Sequence, residues 1–431
     1  MSEAPATRPA PAPAEAGLSA GAKAHPEAPA SAPSQLRQTR RVLLWAALLA
    51  GVPGLLLVLM TALSMRATDL QRVGAAYPAF ERAAGRKSPP AQRCGLNQLP
   101  TPQGCKAAVP SSVLTEDVTF ESSIPQKGLK QLAGTISLPQ GIEGKRPALV
   151  LVHGSGPLDR HLTVPGDLVR KLSDNFAVFD ALAAWLANQG FIVLSYDKRS
   201  CGRCYGASSF KPELFSFQDF ETDAVDALKY LASRSDVAAQ RLVVVGVSQG
   251  GGFAPFIANQ LPQVAAMVSL SGLFEGFDVA LLAQLDRISA IRKDQWDYFG
   301  PLNIFLQRSK FSNCFSKLTG PKYVADEVCI GGGVTQRALR AYAARSATAP
   351  SELKAVKVPM FLSQGTLDRN VSPQLFDDLS HQLAGHDAEF HFIAGMDHAQ
   401  TDVSNPKPVL HPALLAALKA FFASVPLSAA Q

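Results

Sequence analysis

Arg241–Leu261 reads RLVVVGVSQGGGFAPFIANQL, with the pentapeptide Gly246-Val247-Ser248-Gln249-Gly250 at its centre. The residues before it are apolar and β-branched without a break, which fits a strand covered on both faces. Those after it carry apolar positions at helical spacing. A serine on so sharp a strand-to-helix turn is pushed out of the sheet, and only glycine leaves room on either side. The N–H of Gln249 then opens a helix and points toward negative charge that develops beside the serine. The pentapeptide recurs by chance in long chains; its position between a buried strand and a helix gives it chemical meaning.

The same alternation extends in both directions. PALVLVH (147–153), FIVLSYD (191–197), VAAMVSLSG (264–272), VPMFLSQGTLD (358–368) and AEFHFIAG (388–395) read as strands. FAVFDALAAWLANQG (176–190), closed by Gly190, FQDFETDAVDALKYLASR (217–234), SPQLFDDLSHQLAG (372–385) and HPALLAALKAFFASV (411–425) read as helices. QLAGTISLP (131–139) alternates polar and apolar, as an edge strand does. Strands alternating with helices predict an α/β domain over 113–425, a mostly parallel sheet with helices on both faces. Residues 273–351 break the rhythm: they are rich in aromatics, contain no convincing buried strand and are too long for a loop. They are expected to form a mostly helical cap over the C-terminal edge of the sheet.

Serine is a weak nucleophile at neutral pH and needs a base, which in turn needs an orienting carboxylate. Both belong on loops outside the carboxyl ends of strands. Asp368 follows MFLSQGTL and His398 follows FHFIAGMD. Of eight histidines, His25 is in the N-terminal tail, His153 ends a strand and His161 lies in the loop after it. His381, His386, His391 and His411 fall in or beside helices and a strand, leaving His398 as the base. Asp397 is an alternative orienter, disfavoured because adjacent side chains diverge. A second oxyanion donor is expected from His153-Gly154-Ser155-Gly156, through the N–H of Ser155 or else of Gly156, with His153 supporting the loop.

LVLVHGSGPLDR, WLANQGFIVLSYDKR, VVVGVSQGG, GTLDRNVSP and GMDHA together resemble the α/β-hydrolase superfamily, within it the serine esterases and the dienelactone-hydrolase-like or aminopeptidase-like hydrolases. The resemblance implies the α/β-hydrolase fold, with Ser248, Asp368 and His398 as nucleophile, acid and base, and with Ser155 and Gln249 at the oxyanion positions. Dienelactone hydrolase uses cysteine where this chain has Ser248, and haloalkane dehalogenases use aspartate, so neither chemistry carries over. One segment departs from the pattern. The family continues D-x-R-G-x-G-x-S, whereas Asp197-Lys198-Arg199 is followed here by SCGRCYGAS. Cys201-Gly-Arg-Cys204 lacks a thioredoxin-like setting, and one pair supplies too few ligands for zinc. No cofactor and no metal are called for.

The 431 residues carry 41 Lys+Arg against 35 Asp+Glu, and 47% are hydrophobic. That composition excludes a disordered chain, and with no run of basic residues it gives no nucleic-acid footprint. Residues 1–41 are Ala/Pro-rich and read as a disordered tail. Residues 42–65, VLLWAALLAGVPGLLLVLMTALSM, carry no charge and are long enough to span a bilayer, so one transmembrane anchor is expected, with 66–112 as a linker. Arg37, Arg40 and Arg41 precede the span, and the slight basic bias puts the N-terminus inside. All six cysteines follow it in three sequence-close pairs: Cys94 with Cys105, Cys201 with Cys204, and Cys314 with Cys329. Local disulfides of this kind fit an extracytoplasmic domain, periplasmic in a bacterium. The leading expectation is an enzyme cleaving carboxylic esters of a small acyl substrate through an acyl-enzyme on Ser248. The alternative is a serine peptidase or amidase with the same residues, for which Glu275, Asp278, Asp294 or Asp297 would bind the substrate amine. A non-catalytic, membrane-tethered binding module is the third.

Overall fold

The computed structural model describes residues 98–101, 104–107, 113–126, 129–140, 144–164, 175–205, 216–294, 299–330, 333–425 and 427. The expected tail (1–41), the anchor (42–65), most of the linker and Cys94 lie outside them. Among the described residues no helix is long and apolar enough to cross a membrane. Within the expected linker, β1 (Gln98–Thr101) and β2 (Gly104–Ala107) form an antiparallel pair.

The apolar runs pair side by side in one eight-stranded sheet. Its strands are β3 (Val113–Gln126), β4 (Leu129–Pro139), β5 (Arg146–Val152), β8 (Ile192–Tyr196), β9 (Val237–Val247), β10 (Val264–Leu270), β13 (Met360–Gly365) and β14 (Ala388–Ile393). Their spatial order is β14-β13-β10-β9-β5-β8-β4-β3. From β8 to β14 every pairing is parallel, while β4 is antiparallel to both neighbours. This is the α/β-hydrolase arrangement. The reading of QLAGTISLP as an edge strand is corrected: β4 lies inside the sheet between β8 and β3. The edge on that side is β3, whose exposed Glu116, Asp117 and Glu121 flank the buried Val118 and Phe120.

Successive residues of the central strands feed two separate cores, which is why their sequence does not alternate. Val150 and Val244 pack with Phe220 and Leu228 of α3 (Gln218–Ser233) and with Phe253 and Ile257 of α4 (Gln249–Gln260). Leu149, Leu151, Val243 and Val245 pack on the other face, against α1 (Val178–Asn188) and α10 (Pro412–Ser424). Each such side chain, taken fully out of water, contributes about 1.5–3 kcal/mol. A two-stranded pair, β6 (Thr163–Val164) with β7 (Phe176–Ala177), leads into α1, and α2 (Gly202–Tyr205) is a single turn. Gly190 closes the chain after α1 with φ +95°.

Between β10 and β13 lie α5 (Phe277–Asp294), α6 (Phe299–Leu318), α7 (Gln336–Ala347) and α8 (Ala349–Ala355). This insertion is helical as expected, with one addition, the short antiparallel pair β11 (Val328–Ile330) and β12 (Val334–Thr335). These strands are too short to leave a sequence period. A Cys314–Cys329 disulfide ties α6 to β11, and a second links Cys201 to Cys204. The last helix before β14 is α9 (Pro373–Gln382).

Candidate active site

Ser248 stands between β9 and α4 with φ 57° and ψ −119°, a left-handed conformation uncommon for a residue with a side chain. Three backbone bonds hold it there. Its N–H donates to Leu270 O (2.9 Å), and its carbonyl accepts from Gly252 (3.1 Å) and Leu273 (3.3 Å). A Cβ on Gly250 would lie 2.2 Å from Val152 O, so glycine alone lets α4 start this close to the end of β5. Gln249 N is the first helical donor, one of those left without an intrahelical partner.

His398 and Asp368 come together from the loops after β14 and β13. His398 Nδ1 lies 2.8 Å from Asp368 Oδ2, with the Asp368 side chain fully buried and the imidazole 22% exposed. The other carboxylate oxygen accepts from the N–H groups of Asn370 (2.8 Å) and Val371 (3.0 Å). Burial pushes the Asp368 carboxyl up, yet the charge and hydrogen bond of His398 and those two N–H groups hold it below its ordinary value. Burial likewise lowers His398, and the Asp368 carboxylate outweighs it, so the imidazole sits above its ordinary value. Asp397 is spent elsewhere: it accepts from Thr401 N (2.9 Å) and Thr401 Oγ1 (2.7 Å). Of the two carboxylates left open by the sequence, the geometry brings Asp368 to the imidazole.

The loop after β5 reaches Ser248 from the other side. Gly154 is buried against it: a Cβ there would lie 3.2 Å from Ser248 Cβ and 3.6 Å from Oγ. Ser155 follows at the surface. His153 is buried, with Nε2 donating to Asp159 O at 3.1 Å. Burial lowers its pKa to about 3, so the ring is neutral and braces the loop, as the sequence reading had it.

Sequence reasoning missed what holds this loop. Arg160 makes a two-pronged bond to Asp197 (2.7 and 3.2 Å), and Lys198 N donates to Leu158 O (3.2 Å). The Lys198 side chain is buried. Its Nζ donates to Gly154 O (2.7 Å) and Gln249 Oε1 (3.0 Å), and it lies 3.9 Å from the centre of the Phe220 ring. Burial pushes this ammonium down to about 7. Gln249 Nε2 donates in turn to Tyr342 Oη of α7 (2.7 Å), so the cap reaches the turn beside Ser248. The only signal for these roles was the departure after Asp197-Lys198-Arg199, which draws the eye to cysteines and not to the lysine.

Of the carboxylates proposed for amine binding, Glu275 stands in the loop after β10, where partial burial raises its pKa. Asp278 opens α5, the Asp294 side chain is not described, and Asp297 lies outside the described residues. Among the described residues no cluster of His, Cys, Asp and Glu could hold a metal ion.

The chain is 28% identical over 271 residues to Esterase EstD of Thermotoga maritima, covering 58% of each chain. It thus spans 58% of the length of that curated relative. Solved structures similar to it include Est1E from Butyrivibrio proteoclasticus, at 14% identity and TM-score 0.45 over 71% of this chain and 97% of that one. The Pyrococcus furiosus esterase Pf2001 matches at 16% identity and TM-score 0.46, over 74% and 92%. The profile of the family described as "Serine aminopeptidase, S33" matches residues 168–401, more than half of the sequence. The chain belongs to that family of hydrolases.

Proposed function

We propose that the protein hydrolyses carboxylic esters through an acyl-enzyme on Ser248. The observation that carries this reading is the 2.8 Å bond between His398 Nδ1 and the buried Asp368 carboxylate. It fixes the tautomer of the ring, so that Nε2 is the atom free to take a proton. Ser248 Oγ attacks the acyl carbon as Nε2 accepts its proton. The oxyanion is held by the N–H groups of Ser155 and Gln249, and His398 returns the proton to the departing alcohol. Water then attacks the acyl-enzyme, and the proton passes through His398 back to Ser248. The name of the Thermotoga relative supports ester over amide substrates. The family's description favours the second reading, an aminopeptidase, in which the Glu275 carboxylate would bind the substrate amine.

The test is a panel of p-nitrophenyl esters and aminoacyl p-nitroanilides on the full-length protein in detergent. Esters turned over, and abolished by Ser248→Ala, is the expected result. Anilides cleaved faster than every ester would transfer the proposal to the peptidase, and turnover surviving Ser248→Ala would overturn both. We place the catalytic domain outside the cytoplasm on the anchor at 42–65. An inactive alkaline phosphatase fusion after residue 70 would reverse that placement.

A further inference from the structure

We infer that Lys198 is a positioning residue for the oxyanion site, aiming the Ser155 N–H by gripping the carbonyl of the same peptide unit. This rests on the hydrolase reading above and adds to it a residue that takes no part in proton transfer.

The argument begins with the peptide bond. The Gly154 carbonyl and the Ser155 N–H belong to one planar trans unit, in which C=O and N–H point in opposite directions. Lys198 Nζ holds that carbonyl at 2.7 Å, from within the protein. The N–H is thereby turned away from Lys198. Gly154 packs against Ser248, as the contact of a hypothetical Cβ with Ser248 Oγ at 3.6 Å shows. A donor on the carbonyl also draws electron density from the amide, which strengthens the N–H as a donor.

The second bond of Lys198 reaches the other donor segment. Gln249 Oε1 accepts from Nζ at 3.0 Å, and the backbone N–H of Gln249 is the second oxyanion donor of the proposal. One buried ammonium therefore spans the loop after β5 and the start of α4, fixing the separation of two N–H groups from elements far apart in sequence. Tyr342 Oη accepts from the Gln249 amide on its far side, which keeps Oε1 turned toward the lysine.

The surroundings favour this use over a solvent-facing role. Nζ faces the Phe220 ring on α3, and the charged or titratable groups that act on it are Asp223 of the same helix and His153 at the end of β5. Asp223 is already paired with Arg199, whose Nε donates to it at 2.6 Å. Its backbone is fixed as well: Lys198 N donates to Leu158 O, and its carbonyl accepts from Cys201 N (2.7 Å) at the start of the Cys201–Cys204 disulfide turn. Arg160–Asp197 and Arg203–Asp159 bind the same two segments together on either side. The segment that departs from the family pattern is thus the one that seats the lysine.

The experiment compares Lys198→Met with wild type, full-length and in detergent, on whichever p-nitrophenyl ester or p-nitroanilide the wild type turns over. Removing one oxyanion donor outright costs about 100- to 1000-fold in kcat, so misaiming one is expected to lower kcat about 10- to 100-fold. KM should stay within about twofold, because the ground-state carbonyl is little held by the site. Ki for an aryl trifluoromethyl ketone, whose tetrahedral adduct carries an oxyanion, should rise by the same factor as kcat/KM falls. A structural role alone would not produce that match. Should Lys198→Met fail to fold, Gln249→Met keeps the backbone donor and removes the second anchor of the lysine. It should show the same pattern at about 3- to 10-fold. Unchanged kcat in a folded Lys198→Met or Gln249→Met protein would sink the inference, as would a loss confined to KM. Failure of the hydrolase reading itself would be seen separately, as turnover that survives Ser248→Ala.

Discussion

Arg287, on the first helix of the cap, donates through Nη2 to the backbone carbonyl of Asn370 at 2.5 Å, two residues beyond Asp368. Gln284 on the same helix reaches the Asn370 side chain at 3.0 Å. The N–H of Asn370 donates to Asp368, so the cap is tied to the loop that orients the imidazole. Arg287→Ala is expected to lower kcat/KM roughly 3- to 10-fold through misplacement of Asp368. It should cost only about 1 kcal/mol of stability. Steady-state kinetics beside urea unfolding would separate these, and unchanged kinetics would mean that the acid loop holds its shape without the cap.

The pH dependence of turnover should report His398. The proposed mechanism needs the neutral ring, and Asp368 holds its pKa above the ordinary value against the pull of burial, with a smaller contribution from Asp397. Activity therefore falls on the acid side through a pKa above about 6.5. In Asp368→Asn the carboxylate is gone and burial remains, so the limb should move to lower pH while kcat drops on the order of 10³-fold or more. A limb that stays in place in this variant would assign the titration to another group.

Two glycines beside Ser248 should respond differently to the same methyl group. At Gly250 a Cβ would meet Val152 O at 2.2 Å and His153 O at 2.6 Å, and backbone cannot yield that far. Gly250→Ala is expected to destabilise on the order of 3 kcal/mol. At Gly154 the Cβ contacts begin at 3.2 Å, so Gly154→Ala should fold but slow turnover about 10- to 100-fold. Unfolding midpoints and kcat for both would check the contrast.

Arg199 is fully buried and pairs with Asp223, which also lies near Ser122 Oγ (3.2 Å). Removing one partner strands a charge in the core, so Arg199→Met should cost about 3–5 kcal/mol. The double change Arg199→Met with Asp223→Leu should recover much of that. If the double variant is no more stable than the single one, the pair is held by its hydrogen bonds to neighbours more than by its charge.

The central strands were legible because a strand buried on both faces needs an unbroken apolar run, as in LVLV and LVVV. β3 was not, because its exposed positions carry Glu116, Asp117 and Glu121 and its neighbour β4 looked like the edge. The pairing of His398 with Asp368 was legible from their places after strands, where chain order and loop position set His398 apart from the other histidines. The role of Lys198 was not. A lysine after a strand ordinarily faces water, and nothing local states that Phe220 and Gln249, remote in sequence, will close over it. His411 was placed correctly at a helix start, but its role as an N-cap accepting from Ala413 N at 3.2 Å depends on χ angles that sequence does not carry.

β10 and β13 lie side by side in parallel, Met267 opposite Met360 and Leu270 opposite Ser363, although residues 271–359 separate them in the chain. Ala349, Leu353 and Val356, which close the connection, pack into the core on one face of the sheet, and the entropy of closing a longer or shorter connection changes only slowly with its length. On the proposed mechanism, substrate preference can drift by exchange of a whole module while Ser248, Asp368 and His398 stay where they are. The exchange has one constraint. A replacement for the cap must still offer a hydroxyl where Tyr342 meets Gln249 and a donor where Arg287 meets Asn370. On that reading, a lineage that kept those two contacts could change its substrate without moving Ser248, Asp368 or His398.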